Sequence, residues 1–299
     1  MNQAKVLNFF GLLLIMFGIS FAIPLFVAIF YGESLIRVFG LGMSILVLMG
    51  FLSWFFTKDN KQELSLSDGF VITVLFWIVL SVSGSIPFIL FGFGVVDSFF
   101  ESMSGITTTG ATVIAGLDDL PKSLLIYRQL LQWLGGMGLI VLAIAVMPLL
   151  GIGGGQLFKT QTPGPMSEQR LTPRITSTAR ALWSIYFVLT VLCIFAYRLA
   201  GMSYFDAVSH AFSTVSIGGF STHDLSIGFF DSLSIEIVCI TFMLLSAMSF
   251  AVHYSAIYRK QVLKYFYDPE LRFFVSLLIV ILGLVCLSLF ASDIDDPIR

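Results

Sequence analysis

Apolar runs too long and too uniform to be one-sided helices alternate along this chain with short polar clusters. Seven stretches, about 6–30, 35–56, 70–93, 123–150, 178–199, 232–258 and 273–290, hold roughly the 20 apolar residues that a helix needs to cross a ~30 Å hydrocarbon core. The first reads as a retained span, because its apolar run far exceeds the roughly 7–15 residues of a signal peptide and no small-residue cleavage site follows.

Two shorter amphipathic stretches, 96–106 and 203–213, break this pattern, and each ends in a segment rich in Thr, Ser and Gly. The chain therefore repeats one unit: span, half-length helix, loop, span. Its first copy is 70–93, 96–106, 107–112 and 123–150; its second is 178–199, 203–213, 214–220 and 232–258. Laying Gly110 on Gly218 sets the period at 108 residues, the separation of those two glycines. The resulting organisation is two leading helices with an inner loop in 1–69, a first repeat in 70–155, a linker in 156–177, a second repeat in 178–262 and the start of a third in 263–299. Asp97 is the expected cap of the first half-helix, and Ser203 with Asp206 has the form of a capping box on the second.

Composition removes the soluble alternatives. With 57% hydrophobic residues, 11% charged and a mean hydropathy of +0.96, the chain reads as an all-α integral membrane protein. Most of the 16 Lys and Arg fall on one side of the spans if the N-terminus is cytoplasmic, and most of the 18 acidic residues fall on the other. Both repeats then run in parallel, with their loops outside. The acidic bias either concentrates cations at an opening or simply mirrors the basic inner side. Cys193, Cys239 and Cys286 lie in apolar spans without metal-type spacing and read as small buried hydrophobes.

The two loops carry the chemistry. A dehydrated ion in a membrane needs a dense row of oxygens, and extended backbone containing glycine supplies carbonyls at that density. Each half-helix would also aim its partly negative C-terminus at the loop. Gly110 and Gly218 are the expected central positions, with Thr108, Thr109, Ala111, Ser216, Ile217 and Gly219 around them. The competing reading of Thr107-Thr108-Thr109 is hydroxyls bonded back to their own helix; the second copy favours the filter.

Other features carry less. Gly135-Gly136-Met137-Gly138 suits close helix packing, or a hinge. Gly153-Gly154-Gly155 near Lys159 lacks the Gly-Lys-Ser/Thr ending of a phosphate loop. His210 and His223 lie near the mouth, as pH-sensitive groups or ordinary hydrogen-bonded side chains, and His253 shares no ligand spacing with them. Arg128 lies within reach of Asp97 or Glu101. No Ser–His pair, paired Asp or zinc set sits mid-span, so no enzymatic chemistry is expected. The basic inner loops leave open a membrane anchor for a soluble complex.

These motifs resemble those of the superfamily that joins bacterial Trk and Ktr systems to plant high-affinity potassium transporters (HKT), and most of all its TrkH-type membrane subunits. The resemblance rests on Gly105-Ile106-Thr107-Thr108-Thr109-Gly110-Ala111-Thr112 within 99–112 and on Gln132-Trp133-Leu134-Gly135-Gly136-Met137-Gly138 with 148–151. It rests also on Thr162-Pro163-Gly164-Pro165 and on Ser213-Thr214-Val215-Ser216-Ile217-Gly218-Gly219-Phe220 within 213–222. It implies potassium uptake across a bacterial inner membrane through one pore of four repeats, with potassium as transported substrate and no cofactor. It also implies a homodimer and a cytoplasmic nucleotide-binding regulatory partner of the TrkA type, and no nucleic acid. The central filter glycines match the potassium pattern rather than that of sodium-permeable relatives. Two filter loops and the opening of a third repeat are present, so the expectation is the N-terminal part of a longer protein, the alternative being two chains that combine halves.

Overall fold

The computed structural model describes residues 3–58, 66–146 and 175–291. Among them every regular element is helical: α1 (Gln3–Ser20), α2 (Ala22–Tyr31), α3 (Ile36–Thr57), α4 (Leu66–Phe91), α5 (Val95–Ile106), α6 (Lys122–Val146), α7 (Ile175–Leu199), α8 (Tyr204–Val215), α9 (Leu233–Ala247), α10 (Phe250–Tyr258), the single turn α11 (Lys264–Tyr267) and α12 (Pro269–Ala291). The inner-loop motifs at 148–165, Lys159 among them, lie outside the described residues. Among the described residues five helical spans are long and apolar enough to cross a membrane, 3–31, 36–57, 68–91, 180–199 and 269–290, with 233–247 and 252–258 together a sixth if that pair, bent by 94°, is one span.

The first predicted span is broken at Phe21, between α1 and α2. Pro24 falls in the first turn of α2, where its missing N–H breaks no helix bond. The break buries the Phe21 ring against Phe17, Phe39 and Tyr127, with ring centroids 5.5, 6.5 and 5.2 Å away. Helices α1 and α3 then pack closely along glycines. A Cβ on Gly11 would lie 2.7 Å from the Trp54 nitrogen, and one on Gly50 would lie 2.6 Å from the Gly11 oxygen, as expected where association in lipid rests on close approach.

The sixth predicted span, 232–258, is not one helix. It ends at Ala247, and a new helix begins at Phe250; the hydropathy window passes over a break flanked by apolar residues on both sides. Helices up to Ala247 form one compact unit, and those from Met248 onward form a second. In that second unit Asp268 caps α12, its Oδ1 accepting from the backbone N–H groups of Glu270 and Leu271 at 3.2 and 3.1 Å. Pro269 supplies the first helical position. Nearly all apolar side chains of α12 are exposed, which also corrects the expectation for Cys286: it is exposed, while Cys193 is buried and Cys239 intermediate.

In the first unit the order span, half-helix, loop, span occurs twice, as α4-α5-α6 and α7-α8-α9. Helices α5 and α8 have 12 residues each, about 18 Å at 1.5 Å per residue. That length reaches partway through a bilayer. Helix α6 packs against both half-helices, which makes it the shared support of the two loops.

Candidate functional site

Both half-helices end in the same way. In the first, the N–H groups of Thr107, Thr108 and Thr109 bond to the carbonyls of Met103, Gly105 and Ser104 at 2.9, 3.0 and 2.9 Å. In the second, those of Ser216, Ile217 and Gly218 bond to Phe212, Thr214 and Ser213 at 3.3, 3.1 and 2.8 Å. This is a left-handed C-cap that ties off the last turn. A trans peptide holds its C=O opposite its N–H. The carbonyls of Thr107, Thr108, Ser216 and Ile217 are consequently turned away from the helix ends.

The left-handed residue of such a cap is usually Gly. Here it is Thr108 at φ 54° and Ile217 at φ 55°. β-Branched residues are genuine outliers there, and strain of this kind, of order 1–3 kcal/mol per residue, gathers at functional sites. Gly110 (φ 79°) and Gly219 (φ 84°) follow two residues later.

These matches correct the register. Caps, left-handed residues and helix starts all superimpose with a period of 109 residues, so Gly110 corresponds to Gly219, and not to Gly218. Thr108–Ala111 thus pairs with 217–220, and Ser216 pairs with Thr107 as the C-cap residue of its helix. In keeping with that place, the Ser216 hydroxyl donates to Phe212 O at 2.8 Å and the Thr107 hydroxyl to Met103 O at 2.7 Å. Hydroxyl groups of the cap therefore do bond back to their helix, while the backbone beyond them forms the loop.

The two loops lie side by side. A Cβ on Gly110 would stand 2.1 Å from the Gly218 oxygen, so space as well as φ requires glycine. Thr108, Thr109, Gly110 and Ala111 are thereby brought next to Ile217, Gly218 and Gly219, with Gly218 and Ser216 buried and Thr109, Ala111, Ile217 and Gly219 exposed.

Helix α6 braces both loops with side chains one turn apart. Arg128 is fully buried with Glu101, at 2.7 Å between Nη2 and Oε1. Its Nη1 donates to Ser221 O and its Nη2 to the Thr112 hydroxyl, both at 3.0 Å. The guanidinium also lies 4.4 Å from the Phe220 ring centroid. Glu101 in turn accepts from the Thr112 hydroxyl at 3.0 Å and from Val113 N–H at 3.2 Å. One buried pair thus holds the chain just beyond each filter glycine. Between the alternatives left by the sequence, Arg128 takes Glu101 rather than Asp97.

Gln132, not singled out in the sequence, holds the second loop directly: its Nε2 donates to Gly218 O at 2.7 Å and its Oε1 accepts from Phe220 N–H at 3.1 Å. The close-packing reading of the neighbouring glycines holds, since a Cβ on Gly135 would stand 1.9 Å from Ile106 O and one on Gly136 3.1 Å from the Ser216 Cβ.

Position 210 is the repeat partner of Glu101, and it bonds the repeat partner of Thr112: His210 Nε2 is 3.0 Å from the Ser221 hydroxyl. Outside the loops, His223 Nδ1 meets Asp118 Oδ1 at 2.5 Å and its ring stacks on Phe229 at 3.5 Å. Asp224 accepts from Gly116 N–H and Leu117 N–H at 3.1 and 3.0 Å, so the segments after the two loops interlock. The hydrogen bond from His223 holds the exposed Asp118 carboxyl below its usual pKa. At the helix starts, Ser203 accepts from Asp206 N–H at 3.0 Å as expected. Gly94, not Asp97, is the N-cap of α5, and Asp97 sits in its first turn. Glu33 caps α6, accepting from Lys122 N–H at 2.7 Å, from Ser123 N–H at 3.1 Å and from the Ser123 hydroxyl. Among the described residues no group of three or more His, Cys, Asp or Glu is placed to hold a metal ion.

Comparison with known proteins agrees with this geometry. A family model described as TrkH, cation transport protein, matches residues 35–296. The Trk system potassium uptake protein TrkH of Halomonas elongata is 47% identical over 296 residues, 98% of this chain and 61% of that protein. The protein of the same name from Escherichia coli K12 is 44% identical over 291 residues, 95% of this chain and 60% of its own length. The crystal structure of the potassium transporter TrkH from Vibrio parahaemolyticus superimposes with a TM-score of 0.86 at 45% identity, covering all of this chain and 61% of that one. The chain thus spans about three fifths of the length of these relatives. Its apolar helices and these matches make it a multi-pass membrane protein, and it belongs to the TrkH family of cation transport proteins.

Proposed function

We propose that the chain forms part of a potassium-uptake pore, in which carbonyls of Thr108, Thr109, Gly110 and Ala111 and of Ile217, Gly219 and Phe220 replace the water shell of a dehydrated potassium ion, while the Gly218 carbonyl is held by Gln132. The observation that carries the reading is the pair of adjacent loops, each held with a β-branched residue at positive φ at the end of a half-length helix. Strain repeated at equivalent positions has a ready account if it turns carbonyls toward a shared axis. The partly negative C-termini of α5 and α8 favour a cation at the same place. Membrane potential, worth about 2.3 kcal/mol per charge per 100 mV, drives uptake.

In this reading the complete protein sits in a bacterial inner membrane with its N-terminus in the cytoplasm. It works as a homodimer with a nucleotide-binding regulatory partner of the TrkA type, consistent with relatives named as Trk system proteins.

The test is Gly110→Ser in the complete protein, with uptake of rubidium and of sodium measured in cells that lack their own potassium uptake. A reduced preference for rubidium over sodium at normal expression is expected. An unchanged ion ratio removes Gly110 from the filter.

A further inference from the structure

Gln132 does more than fill space beside the second loop. Its side chain is fully buried, and its one amide makes two bonds that straddle Gly219: it donates to the carbonyl of the residue before and accepts from the N–H of the residue after. The loop lies flat against this amide, since a Cβ on Gly218 would stand 2.3 Å from Gln132 Cδ. A primary amide presents a donor and an acceptor on one rigid plane, at a fixed separation. A carboxylate accepts only, and an apolar side chain does neither. Gln132 lies one turn from Arg128 on α6, which fixes the next stretch of the same loop through Ser221 O.

We propose that Gln132 is a positioning residue for ion selectivity: by holding the Gly218 carbonyl and the Phe220 N–H on its own amide it sets where the Gly219 carbonyl stands, and thereby how closely the second loop approaches the ion. This rests on the filter reading above. An opening matched to potassium is kept from contracting onto a smaller ion by a loop that cannot move, and the amide clamp is what prevents movement at Gly219. The first loop is held differently, through Glu101 at Thr112 and Val113. Loosening Gln132 therefore acts on one loop of the pore.

The test uses the complete protein in proteoliposomes, with influx of rubidium and of sodium measured for the parent, Q132L, Q132E and Gly219→Ser. Q132L removes both bonds and is expected to lower the rubidium-to-sodium ratio by about tenfold, the scale of a buried polar group left unpaired. Q132E keeps the acceptor for Phe220 N–H but lacks the donor for Gly218 O. Its ratio is parental while the buried carboxyl keeps its proton and falls as rising pH removes it, while the parent's ratio stays flat. A structural role alone would change yield and melting without this pH-dependent change in the ratio. If Gly219→Ser lowers the ratio while Q132L leaves it at the parental value, the positioning role is overturned and the filter reading stands. If Gly219→Ser changes nothing, the filter reading itself fails. Should Q132L not reach the membrane, the pH series of Q132E decides alone, and a ratio that stays parental at every pH overturns the proposal.

Discussion

Replacing Arg128 with Met strikes a buried charge pair that joins the two loops. Arg128 and Glu101 are both fully buried, and the guanidinium makes further bonds to Thr112 and Ser221 and a stacking contact with Phe220. Met keeps much of the volume but leaves the Glu101 carboxylate with only the Thr112 hydroxyl and Val113 N–H. Breaking a buried pair in this way costs about 3–5 kcal/mol, mostly through the charge left behind. If each kcal/mol moves the midpoint by about 2–4 °C in a unit of this size, the melting temperature falls on the order of 10 °C. Glu101→Gln should be costly as well, because it leaves the cation uncompensated. The double variant, Glu101→Gln with Arg128→Met, buries no net charge and should melt above the Arg128→Met variant, giving a coupling energy well above the 0.5 kcal/mol of independent sites. Thermal melting of the purified protein in detergent, read by loss of the monodisperse peak, provides the four midpoints. Additive losses, or a single variant that melts with the parent, would refute the claim that this pair holds the loops together.

Other sites give sharper or smaller effects. Gly135→Ala places a Cβ 1.9 Å from a backbone carbonyl that cannot swing away, so it should cost at least the roughly 1–3 kcal/mol of an overpacked core, seen as a lower midpoint, whereas the same change at Gly228, where a Cβ meets nothing within 4 Å, should not. Glu33→Ala removes the cap of α6 and should cost about 1 kcal/mol in the same melting assay. Asp118 is an acid whose folded pKa is depressed by His223. Its contribution is therefore present above the unfolded value of about 3.9 and is lost as pH falls through the lower folded value. Asp118→Asn should flatten the fall of melting temperature below about pH 4 and leave no such difference from the parent if the bond has no part in stability.

Hydropathy alone made the spans and the half-helices legible, because a half-length amphipathic stretch between full-length apolar runs has few other uses. Register was the harder matter. Gly218 and Gly219 are adjacent, and choosing the first of them shifts the whole second loop by one residue; Asp97 and Asp206, which share a place in the first turn of α5 and α8, carried the correct spacing of 109. Gln132 was missed because glycines draw the eye in its segment. Yet a polar side chain mid-span, four residues from Arg128, is a signal that buried polar groups in membranes are placed for a purpose. The breaks at Phe21 and before Phe250 were invisible for a physical reason. The first lies between long apolar runs, where the burial of Phe21 accompanies the bend, and the second falls at Met248-Ser249, too short a polar interruption to stand out in a hydropathy window. The interlock of Asp118, His223 and Asp224 depends on two loops more than 100 residues apart meeting, which spacing along one chain does not reveal.

The central claim is that an ion is held between the two adjacent loops by their backbone carbonyls, and a rubidium-soaked crystal of the complete protein tests it most directly. The account predicts an anomalous-scattering peak within oxygen-coordination distance of the carbonyls of Thr108–Ala111 and of Ile217, Gly219 and Phe220, level with Gly110 and Gly219. Rubidium bound elsewhere, with these carbonyls left facing protein, would contradict it.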